Sequence, residues 1–101
     1  MMPSTSPPSG VGNRAIVTVI GEDQVGIIAT VATMLAAAKV NILDISQSIM
    51  QEFFVMIMMV DLAQSNQGFD QLKDALNAQG EAMGLKIDIQ REDVFKLMHR
   101  V

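Results

Sequence analysis

The chain contains no cysteine. Disulfides, thiolate zinc sites, iron–sulfur clusters and cysteine nucleophiles are therefore excluded, and with them a metallochaperone that needs a Cys pair. The absence fits a reducing cytoplasm, where we expect the protein to work. Tryptophan and tyrosine are also missing, and all four aromatic residues are phenylalanine. Basic residues are few: 7 Lys and Arg stand against 11 Asp and Glu, for a net charge of −4. Nucleic-acid binding normally needs a basic patch, so neither nucleic acid nor an anionic membrane surface is an expected partner. No apolar run approaches the roughly 18 residues of a membrane helix. Met1 to Asn13 is rich in Pro, Ser and Gly without an apolar stretch. It does not read as a signal peptide, and residues 1–13 are expected to be a disordered tail.

The means of catalysis are scarce as well. A nucleophile needs a base, usually histidine. The single histidine is His99, near the C-terminus. No H-E-x-x-H, G-x-S-x-G or Gly-Lys-Ser/Thr phosphate loop occurs. No catalytic residue, metal site or cofactor is expected, and the chain does not read as an enzyme.

Half of the 101 residues are hydrophobic, enough for one packed domain. Arg14 to Ile20 is short and β-branched, bounded by Gly12-Asn13 and Gly21, and reads as a first strand. Apolar residues then recur at Ile27, Ile28, Val31, Met34, Leu35 and Ala38, which predicts a helix from about Val25 to Ala38. Asn41 to Met50 alternates, with Leu43, Ile45 and Ile49 opposite Asp44, Ser46 and Ser48, as in an edge strand. Gln51-Glu52 leaves room only for a hairpin turn, and the apolar run Phe53 to Leu62 reads as a central strand. Phe69, Leu72, Leu76 and Met83 mark a second helix, with Gly80 and Gly84 bracketing a frayed end. Leu85, Ile87 and Ile89 then alternate with polar residues in a fourth strand.

The predicted order is β-α-β-β-α-β. The fold class is α+β: a ferredoxin-like sandwich with a four-stranded antiparallel sheet and two helices on one face. Right-handed crossovers place the first and third strands in the centre. Residues 92–101 form a short amphipathic extension, with Val94, Leu97 and Val101 on one stripe, joined by Phe95 and Met98. Two helices cover one sheet face only. The second apolar strip of the third strand, Phe53, Val55, Ile57 and Met59, must therefore meet a partner subunit or that extension, and a homodimer is expected.

The loop after the first strand is the richest in chemistry. Gly21 and Gly26 flank Glu22-Asp23-Gln24-Val25. Gly26 lets the helix begin close to a ligand, and the free N–H groups of that helix end can hold a carboxylate. Asp23 can cap the helix and accept from an ammonium group. Together these suit an α-amino acid; the same residues also make an ordinary turn. Glu22 and Asp23 would repel phosphate.

Residues Ala15 to Val19, Asp23-Gln24-Val25-Gly26-Ile27, Asn41 to Gln47 and Phe53-Phe54 running to Asp61-Leu62 resemble the ACT domain, a small regulatory module of amino-acid metabolism. The resemblance spans residues 14–91, and the nearest pattern is that of small stand-alone ACT proteins of unassigned function. Arg91 to Val94, with Phe95 and Met98 to Arg100, also resembles that group. The resemblance implies a homodimer that binds a small amino acid or related carboxylate. The ligand would lie between the first loop of one subunit and the start of the second strand of the other. The ligand-binding residues so implied are Asp23, Gln24, Val25, Gly26, Ile27, Asn41 and Ile42, with Ile27 and Ile42 as apolar wall or simply core. Two positions depart from the pattern: Gly21 stands where some serine-binding members carry His, and Val25 where Pro is frequent. A chain with no catalytic domain to control implies a protein partner. The alternative is a pure protein-interaction domain without ligand, similar to the glycine-cleavage repressor.

Overall fold

A computed structural model describes residues 13–98. The elements run β1 (Arg14–Glu22), α1 (Ile27–Ala37), β2 (Asn41–Met50), β3 (Phe53–Asp61), α2 (Phe69–Met83), β4 (Lys86–Arg91) and α3 (Glu92–Met98). The four strands form one antiparallel sheet in the order β2-β3-β1-β4. This is the expected ferredoxin-like βαββαβ plan, with the two most apolar strands in the middle. The expected tail lies outside the described residues except for Asn13, whose carbonyl accepts from Leu62 N–H at 2.8 Å. His99 and Val101 also lie outside them.

Alternation decides which face each strand residue takes. Ala15, Val17 and Val19 of β1 are buried with Phe54, Met56, Met58 and Val60 of β3 and Ile87 and Ile89 of β4. They pack with Ile27, Val31 and Leu35 of α1 and Leu72 and Leu76 of α2 in one core. Among the described residues no helix is long and apolar enough to cross a membrane.

Three local expectations change. β1 does not stop before Gly21: the register continues, with Gly21 opposite Phe54 and Glu22 opposite Phe53. The partner strand carries the pairing through a residue that reads locally as a breaker. α1 begins at Ile27, two residues late, because Gly26 takes a left-handed φ of 91°. Gly80 does not mark fraying. It is buried inside α2 and lets the helix close on β4, where a Cβ would come within 2.8 Å of the Leu85 carbonyl. Gly84, at φ 74°, makes the actual stop.

β2 is an edge strand, and all of its residues but Ile42 are exposed. A register shift between Ile42 and Asp44 leaves Leu43 without a partner on β3. Ile45, Gln47 and Ile49 pair with Met58, Met56 and Phe54 and so lie on the helix side; Asp44, Ser46 and Ser48 lie on the open side. The C-terminal extension folds as α3 on that open side. It reaches β1 and β4, and Phe95 and Met98 line a cleft with Ile16, Thr18 and Ile20. Ile16, beneath it, is only 6% exposed. A bidentate ion pair fixes α3: Arg14 Nε donates to Glu92 Oε1 at 3.0 Å and Nη2 to Oε2 at 2.5 Å.

Candidate functional site

β1 and the β2–β3 hairpin end together at one edge of the sheet. There Asp23 N–H donates to the Glu52 carbonyl at 3.0 Å and anchors the loop to the hairpin. The loop then climbs to Gly26 and the start of α1. Beneath that start lies a groove of about 350 Å³, lined by Asp23, Gln24 and Gly26, by Ile28 and Ala29 of α1, and by Gln47, Ile49 and Phe54 of the sheet. Ile27 also reaches it, although its side chain is buried in the core.

Among the described residues no side chain caps α1, and no acid occupies its first turn. The capping role expected for Asp23 is therefore overturned. With Gly26 as N-cap, the Thr30 N–H is the first to find a helical carbonyl, at 2.9 Å from Gly26 O. The preceding amides at the mouth of the groove have no intrahelical acceptor. Asp23 is exposed and its carboxylate is free to accept from a ligand. Among the described residues no lysine or arginine lines the groove, so a carboxylate there would rely on amides and an ammonium on Asp23.

The sequence-predicted residues separate into groups. Asp23 and Gly26 stand at the groove. Gln24 also lines it, but its amide donates to the Met83 carbonyl at 3.0 Å and ties the loop to the end of α2. Val25 is 99% exposed and does not line the groove. Ile27 is core. Asn41 and Ile42 are elsewhere: Asn41 pairs with Asp61, which pairs with Arg14, at the far end of the sheet. At about 3.3 Å per residue, the length of β1 puts roughly 25 Å between that row and the loop. One chain therefore does not bring Asn41 to Asp23. Sequence reasoning missed Ile28, Ala29, Gln47, Ile49 and Phe54 as lining residues. Gln47 had a signal, since it is a polar residue in phase with Ile45 and Ile49 on an otherwise apolar face.

Gly21 is explained by packing. A Cβ there would collide with the Leu85 side chain and lie 3.3 Å from its Cα. Leu85 occupies the space that a larger residue at position 21 would need.

A family model described as the ACT domain matches residues 13–90. A UPF0237 protein of Clostridium acetobutylicum is 54% identical over 88 residues, covering 87% of this chain and 99% of its own length. The ACT domain protein from Streptococcus pneumoniae superposes with a TM-score of 0.73 at 36% identity, over 84% of this chain and 96% of that one. The regulatory subunit of aspartate kinase from Thermus thermophilus gives a TM-score of 0.60 over 80% of this chain and 52% of that one. At 24% identity, that likeness shows a common fold alone. With the topology already in place, the family match and the relatives lead to one assignment: the chain belongs to the ACT-domain family.

Proposed function

We propose that the protein is a non-catalytic regulatory module that binds a small amino acid at the interface of a homodimer. The observation that carries this reading is the uncapped start of α1 over a groove that, among the described residues, has one carboxylate, Asp23, and no basic side chain. A zwitterion suits this arrangement. Its carboxylate meets backbone N–H groups near Gly26, and its ammonium meets Asp23. Ile28, Ala29, Ile49 and Phe54 offer an apolar wall to a short side chain. A phosphorylated ligand would face Asp23 with no cation to neutralise it.

Asn41 joins such a site only from a second copy. The β2 edge is ten residues long, pairs with β3 on one side only, and carries neither Lys nor Pro, two usual protections of an edge. Two β2 strands paired antiparallel across a two-fold axis make one eight-stranded sheet. That pairing carries Asn41 of the second copy toward Met50, beside the first copy's loop.

A thermal-shift screen of the amino acids, followed by calorimetry, tests the reading. Binding stabilises the native state by about 2.7 kcal/mol at 100 times the dissociation constant. Asp23→Ala should weaken binding roughly 10- to 100-fold, as loss of a charge-assisted hydrogen bond does. Because Asp23 caps nothing, the variant should keep its unliganded stability within about 0.5 kcal/mol. Silence across millimolar amino acids would overturn the proposal and favour a protein-interaction domain without ligand.

A further inference from the structure

The loop that carries Asp23 is held by very little. Every residue from Glu22 to Gly26 is exposed, Val25 almost fully. A Cβ added at Gly26 would meet nothing within 4 Å, so packing does not hold the turn into α1 there. Among the described residues, two hydrogen bonds from consecutive residues tie the loop to other elements. One is the backbone bond from Asp23 to the hairpin. The other runs from Gln24 Nε2 to the Met83 carbonyl, 59 residues further on. The acceptor explains itself. Met83 ends α2, where the last four carbonyls have no helical donor. The Gly84 and Leu85 N–H groups turn back to the Glu81 and Gly80 carbonyls at 3.2 and 2.7 Å, and Gln24 takes that of Met83. Among the described residues, the last turn of α2 has no basic side chain, so this amide is the donor that meets the negative end of a 15-residue helix. Gly21 allows the approach. An added Cβ there would lie 3.5 Å from the Gly84 carbonyl, so β1 runs against the end of α2.

We propose that Gln24 is the positioning residue of this loop, and that its bond to Met83 makes the end of α2 register what the groove holds. The second half rests on the amino-acid reading given above; the first does not. Asp23 and the amides near Gly26 suit a zwitterion only in the arrangement that this bond keeps. Without it the loop is pinned at one point rather than two. Its carboxylate and amides then sample other relative positions, and binding must bear the cost of ordering them. Among the described residues, neither Met83 nor Gly84 lines the groove, and the loop is their link to it. Linkage makes the effect mutual: if the Gln24–Met83 bond favours binding, binding favours the bond by the same factor. Gln24 thus acts through the loop, where sequence resemblance implies a contact with the ligand itself.

Hydrogen exchange of the ligand-free full chain tests the first half, with Gln24→Ala, Gln24→Glu and Gln24→Lys as variants and far-UV circular dichroism as the folding control. The Asp23 amide is the reporter, because its acceptor, Glu52, belongs to the other anchor. Alanine removes the donor. Glutamate keeps the size but sets a negative charge against the carbonyls of a helix C-terminus; lysine restores a donor that such an end favours. We expect Asp23 exchange to rise roughly two- to tenfold in Gln24→Ala and Gln24→Glu, the worth of one hydrogen bond, and to return close to wild type in Gln24→Lys. Calorimetry and amide NMR with glycine and L-alanine, the smallest zwitterions of this class, test the second half. Affinity should fall by a similar factor in Gln24→Ala and recover in Gln24→Lys. The Gly84 and Leu85 resonances should shift on adding L-alanine to the wild type but not to Gln24→Ala. Asp23 exchange unchanged in Gln24→Ala overturns the positioning role. Weaker binding that Gln24→Lys does not restore, with Gly84 and Leu85 unmoved in the wild type, marks Gln24 as a direct contact and overturns the coupling. A wild type that ignores both amino acids, while exchange follows the expected pattern, supports the tether and counts against the amino-acid site.

Discussion

Gly26 and Gly80 are held by different forces, and substitution should separate them. At Gly26 an added Cβ meets nothing within 4 Å, but φ is 91°. Only backbone strain opposes a side chain there. Gly26→Ala should therefore destabilise by about 1–2 kcal/mol in urea unfolding, the usual left-handed penalty for an L-residue. At Gly80 the backbone is helical, and alanine would by itself gain about 0.5–1 kcal/mol. However, its Cβ would lie 2.8 Å from Leu85 O and 3.0 Å from Ile87 N, which are backbone atoms that cannot swing aside. Overpacking of that kind costs about 1–3 kcal/mol, so Gly80→Ala should lower the urea midpoint despite the better helix former. A raised midpoint would show that α2 can move off β4. The sequence marks both residues as glycine and says no more. Gly26 stands at a boundary and is legible as such. Gly80 owes its place to Leu85 and the start of β4, five to seven residues further on, and only the folded contact reveals it.

α3 shows how one ion pair can set an element's response to pH. The hydrogen bond from Arg14, with the guanidinium's charge, holds the Glu92 carboxyl below the ordinary glutamate range; Lys96, 3.6 Å away, adds to this. A group whose pKa is lower in the folded state stabilises the fold above its unfolded pKa. That contribution fades as pH falls through the folded value. Acidification should therefore loosen α3 first at this latch. Hydrogen exchange over residues 92–98, followed down through the acidic range, should show protection lost with falling pH. Glu92→Gln should flatten that dependence and lower protection at neutral pH. Whole-protein acid unfolding is a poorer probe, because Asp88 shifts in the same direction. Partial burial raises its pKa, but the Lys73 hydrogen bond and the Ile89 N–H more than offset this. Most elements are readable from spacing. β3 follows from its unbroken apolar run, β2 from its alternation, and the hairpin turn from Gln51-Glu52. α3 is readable as amphipathic, but its orientation is not. The sheet and the Arg14 ion pair chose Phe95 and Glu92 as the inward face over the Val94–Leu97 stripe, and Arg14 lies 78 residues away from Glu92.

At the scale of the molecule, the separation of Asp23 from Asn41 yields the sharpest test. Sequence resemblance places both residues at one ligand, but the register puts them at opposite ends of the sheet. No property of the sequence as a string of residues contains that separation; it follows from β1 and β2 flanking β3 in one antiparallel sheet. If the proposed site spans two copies, each site of a dimer takes Asp23 from one chain and Asn41 from the other. Asp23→Ala and Asn41→Ala homodimers should then both bind weakly, since each spoils both sites. Unfolding the two variants together and refolding them at equal concentration should restore binding. Random assortment makes half of the dimers mixed, and each mixed dimer joins the intact Asp23 of one chain to the intact Asn41 of the other. Tight sites should therefore return to about one quarter of the wild-type number, read as calorimetric stoichiometry. A site built within one chain gives no recovery on mixing, since every chain carries one defect. A site that does not use Asn41 shows full affinity in the Asn41→Ala homodimer before any mixing. Recovery near one quarter, with wild-type affinity in the recovered fraction, is the result expected of paired β2 edges.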